Sequence, residues 1–290
     1  MAVHINSYDE HKIVIFTKLL WQTKSDQGIM KLILHNKKLF NLCLMKHFFS
    51  CFLLSLTCLL SSAQQHIHAH NDYQKPEPLI NALRYKVFTI EADIYLSDNK
   101  ILVAHDKKEL ATAPTLDSLY LQPIIKLFKL YKGAVSADKN YAPALMIDIK
   151  ENGEAVIAAL IKLLSSHRSV FDRSVNKRAL QIIISGDRTI SSKWSSYPTY
   201  ILFDGRPYEN YDSAAIQRIA FISDSYTRYI SSRDSTTQLK ELVQKVHGMG
   251  KLLRLWAIHD DPQSWKELQQ LGVDIINTDK VAECRKYFDH

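Results

Sequence analysis

Residues 87–95 read Val87-Phe88-Thr89-Ile90-Glu91-Ala92-Asp93-Ile94-Tyr95, an apolar run interrupted by two carboxylates. Side chains two residues apart in a strand point to the same face, so Glu91 and Asp93 would share one side of it. Two buried carboxylates on one face repel each other and lose hydration, so they need a cation or protonation. The alternative is an edge strand with this face in water.

Short apolar runs like this one alternate with amphipathic segments along residues 64–290, which is typical of repeated βαβ units. Eight strands are predicted: 65–70, 87–95, 144–149, 180–185, 200–203, 219–223, 252–257 and 275–277. Helices are predicted over 78–85, 116–131, 154–165, 213–217, 238–249, 262–271 and 281–288, with an irregular connection after Ser185. Eight strands in a domain of this length favour a (β/α)₈ barrel of the TIM type. A doubly wound open sheet is the alternative.

The first 63 residues differ from the rest of the chain. Met45-Lys46-His47 is followed by an uncharged apolar run, Phe48 to Leu60, and then by Ser61-Ser62-Ala63. A basic start, a short apolar run and a small-residue cleavage site are typical of a secretory signal peptide. We therefore expect 1–44 to be an over-extended N-terminus, 45–63 a signal peptide, and 64–290 a single exported domain, periplasmic or extracellular, with no stable membrane span.

The leader also accounts for much of the positive charge of the chain. It contains seven lysines against three acidic residues, so it contributes +4 of the formal +7 and leaves +3 for residues 64–290. This balance does not favour a nucleic-acid partner. Three of the four cysteines lie in the leader and only Cys284 follows it, which excludes a disulfide framework or a cysteine metal site in the remaining chain.

Further polar residues are expected near Glu91 and Asp93, at the strand ends where barrel active sites form. Asp148 lies in the third strand with Lys150 two residues on, and the apolar run 101–104 leads into His105. The three carboxylates form an all-oxygen set, which suits Mg²⁺ or Ca²⁺. Two histidines beside such a cation, His105 and His70 at the end of the first strand, are suited to general acid and base work on a phosphate ester.

These residues resemble the glycerophosphodiester phosphodiesterase and phosphatidylinositol-specific phospholipase C-like superfamily. Within it, the stretches 68–73, 91–93 and 115–121 are similar to the "altered inheritance of mitochondria protein 6" branch. The resemblance implies a PLC-like barrel that hydrolyses a glycerophosphodiester or phospholipid-like small molecule with one divalent cation. It implies His70 and His105 as the acid–base pair, Glu91, Asp93 and Asp148 as cation ligands, and Lys150 as a phosphate contact. We also predict Asn71 and Trp256 as substrate contacts.

Some residues depart from the superfamily pattern or permit other functions. Asn71 stands where glycerophosphodiesterases have a phosphate-binding arginine, which weakens the prediction of their substrate more than that of their reaction. The sequence His66-Ile67-His68-Ala69-His70 also fits the His-x-His zinc pair of amidohydrolase-type enzymes. A catalytically inactive barrel that binds a sugar or a lipid is the remaining alternative. The residues do not decide which histidine is the base, nor the oligomeric state.

Overall fold

The computed structural model describes residues 65–230 and 234–289, so the predicted signal peptide and the residues before it lie outside the described part. Nine strands occur there: β1 His66–Ala69, β2 Thr89–Ser97, β3 Lys100–Val103, β4 Ala144–Ile149, β5 Gln181–Gly186, β6 Ile201–Gly205, β7 Ile219–Ser225, β8 Leu253–Trp256 and β9 Ile275–Thr278. The α-helices there are α1 Ile80–Arg84, α2 Gln122–Leu130, α3 Gly153–Leu164, α4 Arg168–Phe171, α5 Ser213–Gln217, α6 Thr227–Ile230, α7 Ser235–Gly248, α8 Pro262–Leu271 and α9 Val281–Phe288. Each of the eight predicted strands is present.

Eight of these strands form a closed parallel barrel. Neighbouring strands pair in the order β2, β4, β5, β6, β7, β8, β9 and β1, and β1 pairs in turn with β2. Closure excludes the open doubly wound sheet and confirms the predicted (β/α)₈ barrel. The one described strand outside the ring is β3, which pairs antiparallel with the end of β2.

Helix α8 begins and ends at capping residues that the sequence supplies. Before α8, the Asp261 side chain accepts a hydrogen bond from the backbone N–H of Ser264, and Pro262 occupies the first turn. Gly272 ends that helix in the left-handed conformation, with φ of 92°. The connection after β5 is the weakest helical segment, a 3₁₀ turn over Ser191–Ser196, as its poor periodicity predicted.

The interior of the barrel divides into an apolar half and a polar half. Its N-terminal half is filled by Ala144, Met146, Ile183, Phe221 and Ile275. Because alternate residues of each strand point inward, the same faces further along the strands carry polar side chains. Polar groups therefore gather at the C-terminal end of the barrel. Across the described ranges, no helix combines the length and the apolar character needed to cross a bilayer.

Candidate active site

Three carboxylates meet at the C-terminal end of the barrel. Glu91 and Asp93 point inward from β2, and Asp93 is the register partner of Asp148 on β4. One oxygen of each lies within 4.8 Å of one oxygen of the other two. Glu91 and Asp93 are buried, and Asp93 Oδ1 has no hydrogen-bond partner among the described residues. A buried carboxylate oxygen without a partner is costly, so this cluster suits a divalent cation with oxygen ligands.

Lys150 balances part of this negative charge. Its Nζ lies 2.6 Å from Asp93 Oδ2 and 2.6 Å from Asp148 Oδ2. Burial alone would lower the pKa of Lys150, but the two carboxylates more than offset it and the pKa is raised, so the side chain stays charged. Burial raises the pKa of Asp148 despite Lys150, and the charge of Glu91 adds to that rise. The cluster therefore still holds more negative charge than one lysine neutralises.

A hairpin brings His105 to this cluster. β2 continues beyond the barrel and turns back into β3 through Asp98 and Asn99, both at positive φ, as tight hairpin turns require. The Ala104 backbone N–H then donates to the Asp93 carbonyl oxygen, 3.1 Å away. As a result His105 Nδ1 lies 3.0 Å from Asp93 Oδ2, and half of the side chain remains exposed. The structure thus brings His105 to the carboxylates, as the sequence predicted.

His70 reaches the site from the end of β1, which pairs with β2 on one side and with β9 on the other. Its backbone N–H donates to the Thr278 carbonyl oxygen, and its Nδ1 lies 3.2 Å from Asp279 Oδ1. Burial alone would lower the pKa of His70, but the hydrogen bond to Asp279 and the charge of Glu91 raise it. In turn, hydrogen bonding to His70 lowers the pKa of Asp279 to about 2. His70 is therefore held as a cation over a wider pH range than a free histidine.

The loop after β1 places two more side chains in the site. Asn71 has φ of 48° and its side-chain amide lies beside the His70 ring. The Tyr73 hydroxyl lies 2.9 Å from Asp93 Oδ2 and 3.3 Å from His105 Nδ1. Burial and the neighbouring Asp93 raise the pKa of Tyr73, so the phenol keeps its proton. Tyr73 lies in the stretch 68–73 that carries the family resemblance, but no role was predicted for it.

A buried polar network below the carboxylates was also missed. The His68 ring contacts Thr89 Oγ1 and Glu91 Oε2, each at 2.6 Å, and Arg254 Nη1 lies 2.7 Å from His68 Nε2. Burial, followed by the charge of Arg254, lowers the pKa of His68 well below its usual value. Arg254 also lies 3.9 Å from Glu91, so a buried guanidinium supports this carboxylate from beneath. The inward-facing position of Arg254 on β8 could have predicted this network from the sequence.

One glycine is required next to the site. Gly186 ends β5 with φ of 68°, and a Cβ atom there would overlap Asp148 Oδ1 and the Ile149 carbonyl oxygen. The β5 backbone can therefore approach Asp148 this closely only without a side chain at this position.

Trp256 is the remaining predicted substrate contact, and it differs in depth from a second tryptophan, Trp194. Trp256 ends β8 at the C-terminal rim with 37% of its surface exposed, where an alcohol group could contact it. Trp194 instead belongs to the core and stacks on Phe203, with ring centroids 4.4 Å apart. The zinc alternative gains no support, because both ring nitrogens of His68 contact other groups. In residues 65–230 and 234–289, the carboxylate trio is the only group of three or more His, Cys, Asp or Glu side chains close enough together to share a metal ion.

Comparison with known proteins agrees with this geometry. Residues 61–193 match the family model "AIM6-like phosphodiesterase domain", and residues 253–282 match "Glycerophosphoryl diester phosphodiesterase family". Altered inheritance of mitochondria protein 6 of Eremothecium gossypii is 24% identical over 268 residues, which cover 76% of this chain and 69% of that protein. Its homolog in Arthroderma benhamiae is 23% identical, covering 77% of this chain and 83% of that one.

Solved structures support the fold. A glycerophosphodiester phosphodiesterase from Parabacteroides distasonis superimposes with a TM-score of 0.52 and 19% identity, covering 78% of this chain and 97% of that one. At this identity the similarity establishes the barrel architecture. The two family models and the relatives confirm the resemblance that the motifs predicted.

Proposed function

We propose, from the match of residues 61–193 to the AIM6-like phosphodiesterase domain, that the chain hydrolyses a phosphodiester with the help of one divalent cation. The observation that supports this most directly is the convergence of Glu91, Asp93 and Asp148 around a buried oxygen without a partner. Two histidines, each bonded to a carboxylate, flank this cluster. A binding protein would have no need for such a pair beside a cation site.

The three carboxylates would hold the cation, and their oxygen ligands favour Mg²⁺ or Ca²⁺. When bound, it supplies positive charge to the phosphoryl oxygens. Lys150 adds a fixed charge next to it, held by Asp93 and Asp148. Charge that is already in place before the reaction stabilises a transition state without further reorganisation.

The two histidines would move the protons in opposite directions. With Nδ1 of His105 hydrogen-bonded to Asp93, the other ring nitrogen, Nε2, would accept the proton of the attacking hydroxyl group. That oxygen forms a bond to phosphorus while the bond from phosphorus to the leaving alcohol breaks. His70, held protonated beside Asp279, donates its proton to the leaving oxygen. The attacking group is water or a hydroxyl of the substrate.

We further propose that the substrate is a small molecule or lipid of the glycerophosphodiester or phospholipid type. Lys150 would contact the phosphate, Asn71 lies beside His70, and the exposed face of Trp256 would pack against the alcohol part. The predicted leader would deliver such an enzyme outside the cytoplasm. N-terminal sequencing of the exported protein should begin at Gln64, and an intact leader would contradict this.

The test uses purified protein stripped with a chelator and assayed on bis(p-nitrophenyl) phosphate and on a panel of glycerophospho- and lysophospholipid diesters. We expect activity to return with Mg²⁺ or Ca²⁺ and not with zinc alone. His70→Ala and His105→Ala should each abolish turnover, whereas His167→Ala, at the opposite end of the barrel, should not. Absence of activity with every metal in folded protein would favour the inactive binding barrel.

A further inference from the structure

The two oxygens of the Asp93 carboxylate have unlike surroundings. Oδ2 lies within hydrogen-bond distance of three donors: the Tyr73 hydroxyl at 2.9 Å, His105 Nδ1 at 3.0 Å and Lys150 Nζ at 2.6 Å. Oδ1 is buried and has no partner. Three donors fill the hydrogen-bonding capacity of Oδ2, so Oδ1 is the oxygen that is left for a cation.

The Tyr73 hydroxyl has one proton and three possible acceptors. Asp93 Oδ2 is the nearest at 2.9 Å, followed by Asn71 Oδ1 at 3.2 Å and His105 Nδ1 at 3.3 Å. A hydrogen bond to an ionised acceptor is the stronger one, so the proton goes to Asp93. His105 then directs its own Nδ1 proton to the same carboxylate oxygen.

The backbone holds Tyr73 in this position independently of Asp93. Tyr73 lies in the 3₁₀ turn Asp72–Gln74, and the preceding Asp72 is buried. The Asp72 carboxylate accepts hydrogen bonds from the Leu79 backbone N–H at 2.6 Å and from the Tyr120 hydroxyl at 2.8 Å. The phenol is thus presented from a loop that is already fixed, as a residue that orients another must be.

We propose that Tyr73 is a positioning residue whose hydroxyl fixes the rotation of the Asp93 carboxylate, turning Oδ1 toward the cation and Oδ2 toward His105. Through this one carboxylate, Tyr73 couples cation affinity to the orientation of the His105 ring. The inference rests on the proposed function and extends it to a residue outside the predicted ligand and acid–base sets.

Tyr73→Phe tests this because it removes the hydroxyl and leaves the ring in place. We expect the dissociation constant for Mg²⁺ or Ca²⁺, measured by calorimetry, to rise by about 10- to 100-fold, the usual effect of losing a group that orients a metal ligand. At saturating cation, kcat should fall while KM for the diester stays within about twofold, because His105 loses its fixed orientation.

Two other tyrosines provide matched controls. The Tyr141 hydroxyl donates to the Val87 carbonyl oxygen just before the start of β2, so Tyr141→Phe should leave cation affinity unchanged. The Tyr95 hydroxyl donates to the His105 carbonyl oxygen and touches no carboxylate, so Tyr95→Phe tests whether anchoring the hairpin alone is sufficient.

The outcomes separate this inference from the proposed function, because calorimetry requires no turnover. Unchanged cation affinity in folded Tyr73→Phe, with an active wild type, would overturn the role of Tyr73 and leave the function intact. An equal loss of affinity in Tyr95→Phe would overturn it as well. Reduced affinity in Tyr73→Phe, in a protein that hydrolyses none of the diesters, would support the role of Tyr73 and refute the function.

Discussion

The ion pair between His70 and Asp279 leads to a prediction about pH. Asp279→Asn removes the charge that raises the pKa of His70 and keeps a side chain of similar shape. Because His70 is the proposed proton donor, activity should fall on the alkaline side as it loses its proton. In the variant this alkaline limb should move to lower pH.

The size of the shift follows from the geometry of the pair. The two groups lie 3.2 Å apart, with 33% of the His70 and 49% of the Asp279 side chain exposed. At the dielectric constant of water, this distance corresponds to about 1.3 kcal/mol. Solvent screening reduces pairs this exposed to about 1 kcal/mol or less. Because this attraction favours the protonated ring, the pKa of His70 should fall when Asp279 loses its charge.

The same pair predicts how stability depends on pH. The folded-state pKa of His70 is raised, so its contribution is complete below its usual value of 6.5 and is lost as pH rises through the folded-state value. The pKa of Asp279 is lowered to about 2, so its contribution is lost as pH falls through that value. Asp279→Asn should therefore lower the free energy of unfolding most between about pH 4 and 6.5. Above that range the Lys75 ion pair with Asp279, at 3.1 Å, still operates in the wild type.

The assays are a pH profile of kcat, NMR titration of the His70 ring protons, and urea unfolding at several pH values. His247 forms a similar pair with Asp274, which precedes β9 whereas Asp279 follows it, so His247→Gln is the control and should leave the profile unchanged. A His70 pKa that stays within about 0.2 unit of the wild-type value, or that rises, would refute the role of Asp279 in holding the proton.

Three further changes test other parts of the site. Gly186→Ala should weaken cation binding and destabilise the protein by more than the roughly 1–2 kcal/mol that a left-handed alanine costs. Gly250→Ala is the control, because Gly250 has φ of 67° with open space around it and should cost only the left-handed conformation. Equal losses of unfolding free energy in urea would contradict the overlap with Asp148. Arg254→Met should lower the free energy of unfolding by about 3 kcal/mol, because a buried charge network loses its guanidinium group. Saturating Mg²⁺ or Ca²⁺ should restore part of this stability. A thermal unfolding temperature that does not change with either metal ion would argue against a link to Glu91. Trp256→Ala should raise KM several-fold with kcat nearly unchanged, and an unchanged KM would remove it from the substrate site.

The parts of the fold that the sequence predicted are those with a clear local period. The eight barrel strands were found from their apolar runs, and the helices 213–217, 262–271 and 281–288 begin and end where predicted. For the helix that begins at Pro262, the Asp-Pro start and the Gly272 end are local capping signals. Closure of the barrel is not local, because it depends on pairing between strands that are distant in sequence.

The carboxylate trio was predictable because alternation in two strands fixes which side chains share the interior. The same rule would have identified Arg254 and Asp279, which follow the inward-facing pattern of their strands. Tyr73 was not predictable in this way, because it lies in a 3₁₀ turn without strand periodicity. Its contact with Asp93 arises only from how the loop after β1 folds over the barrel.

The seam between the first and last strands also affects when activity can appear during biosynthesis. His70 and Asp279 are 209 residues apart in sequence, yet they face each other across the pairing of β1 with β9. A chain still emerging from the ribosome holds one partner long before the other has been made. Contacts of such sequence separation form late in folding. The proposed diesterase activity is therefore expected to appear only after the final strand has docked.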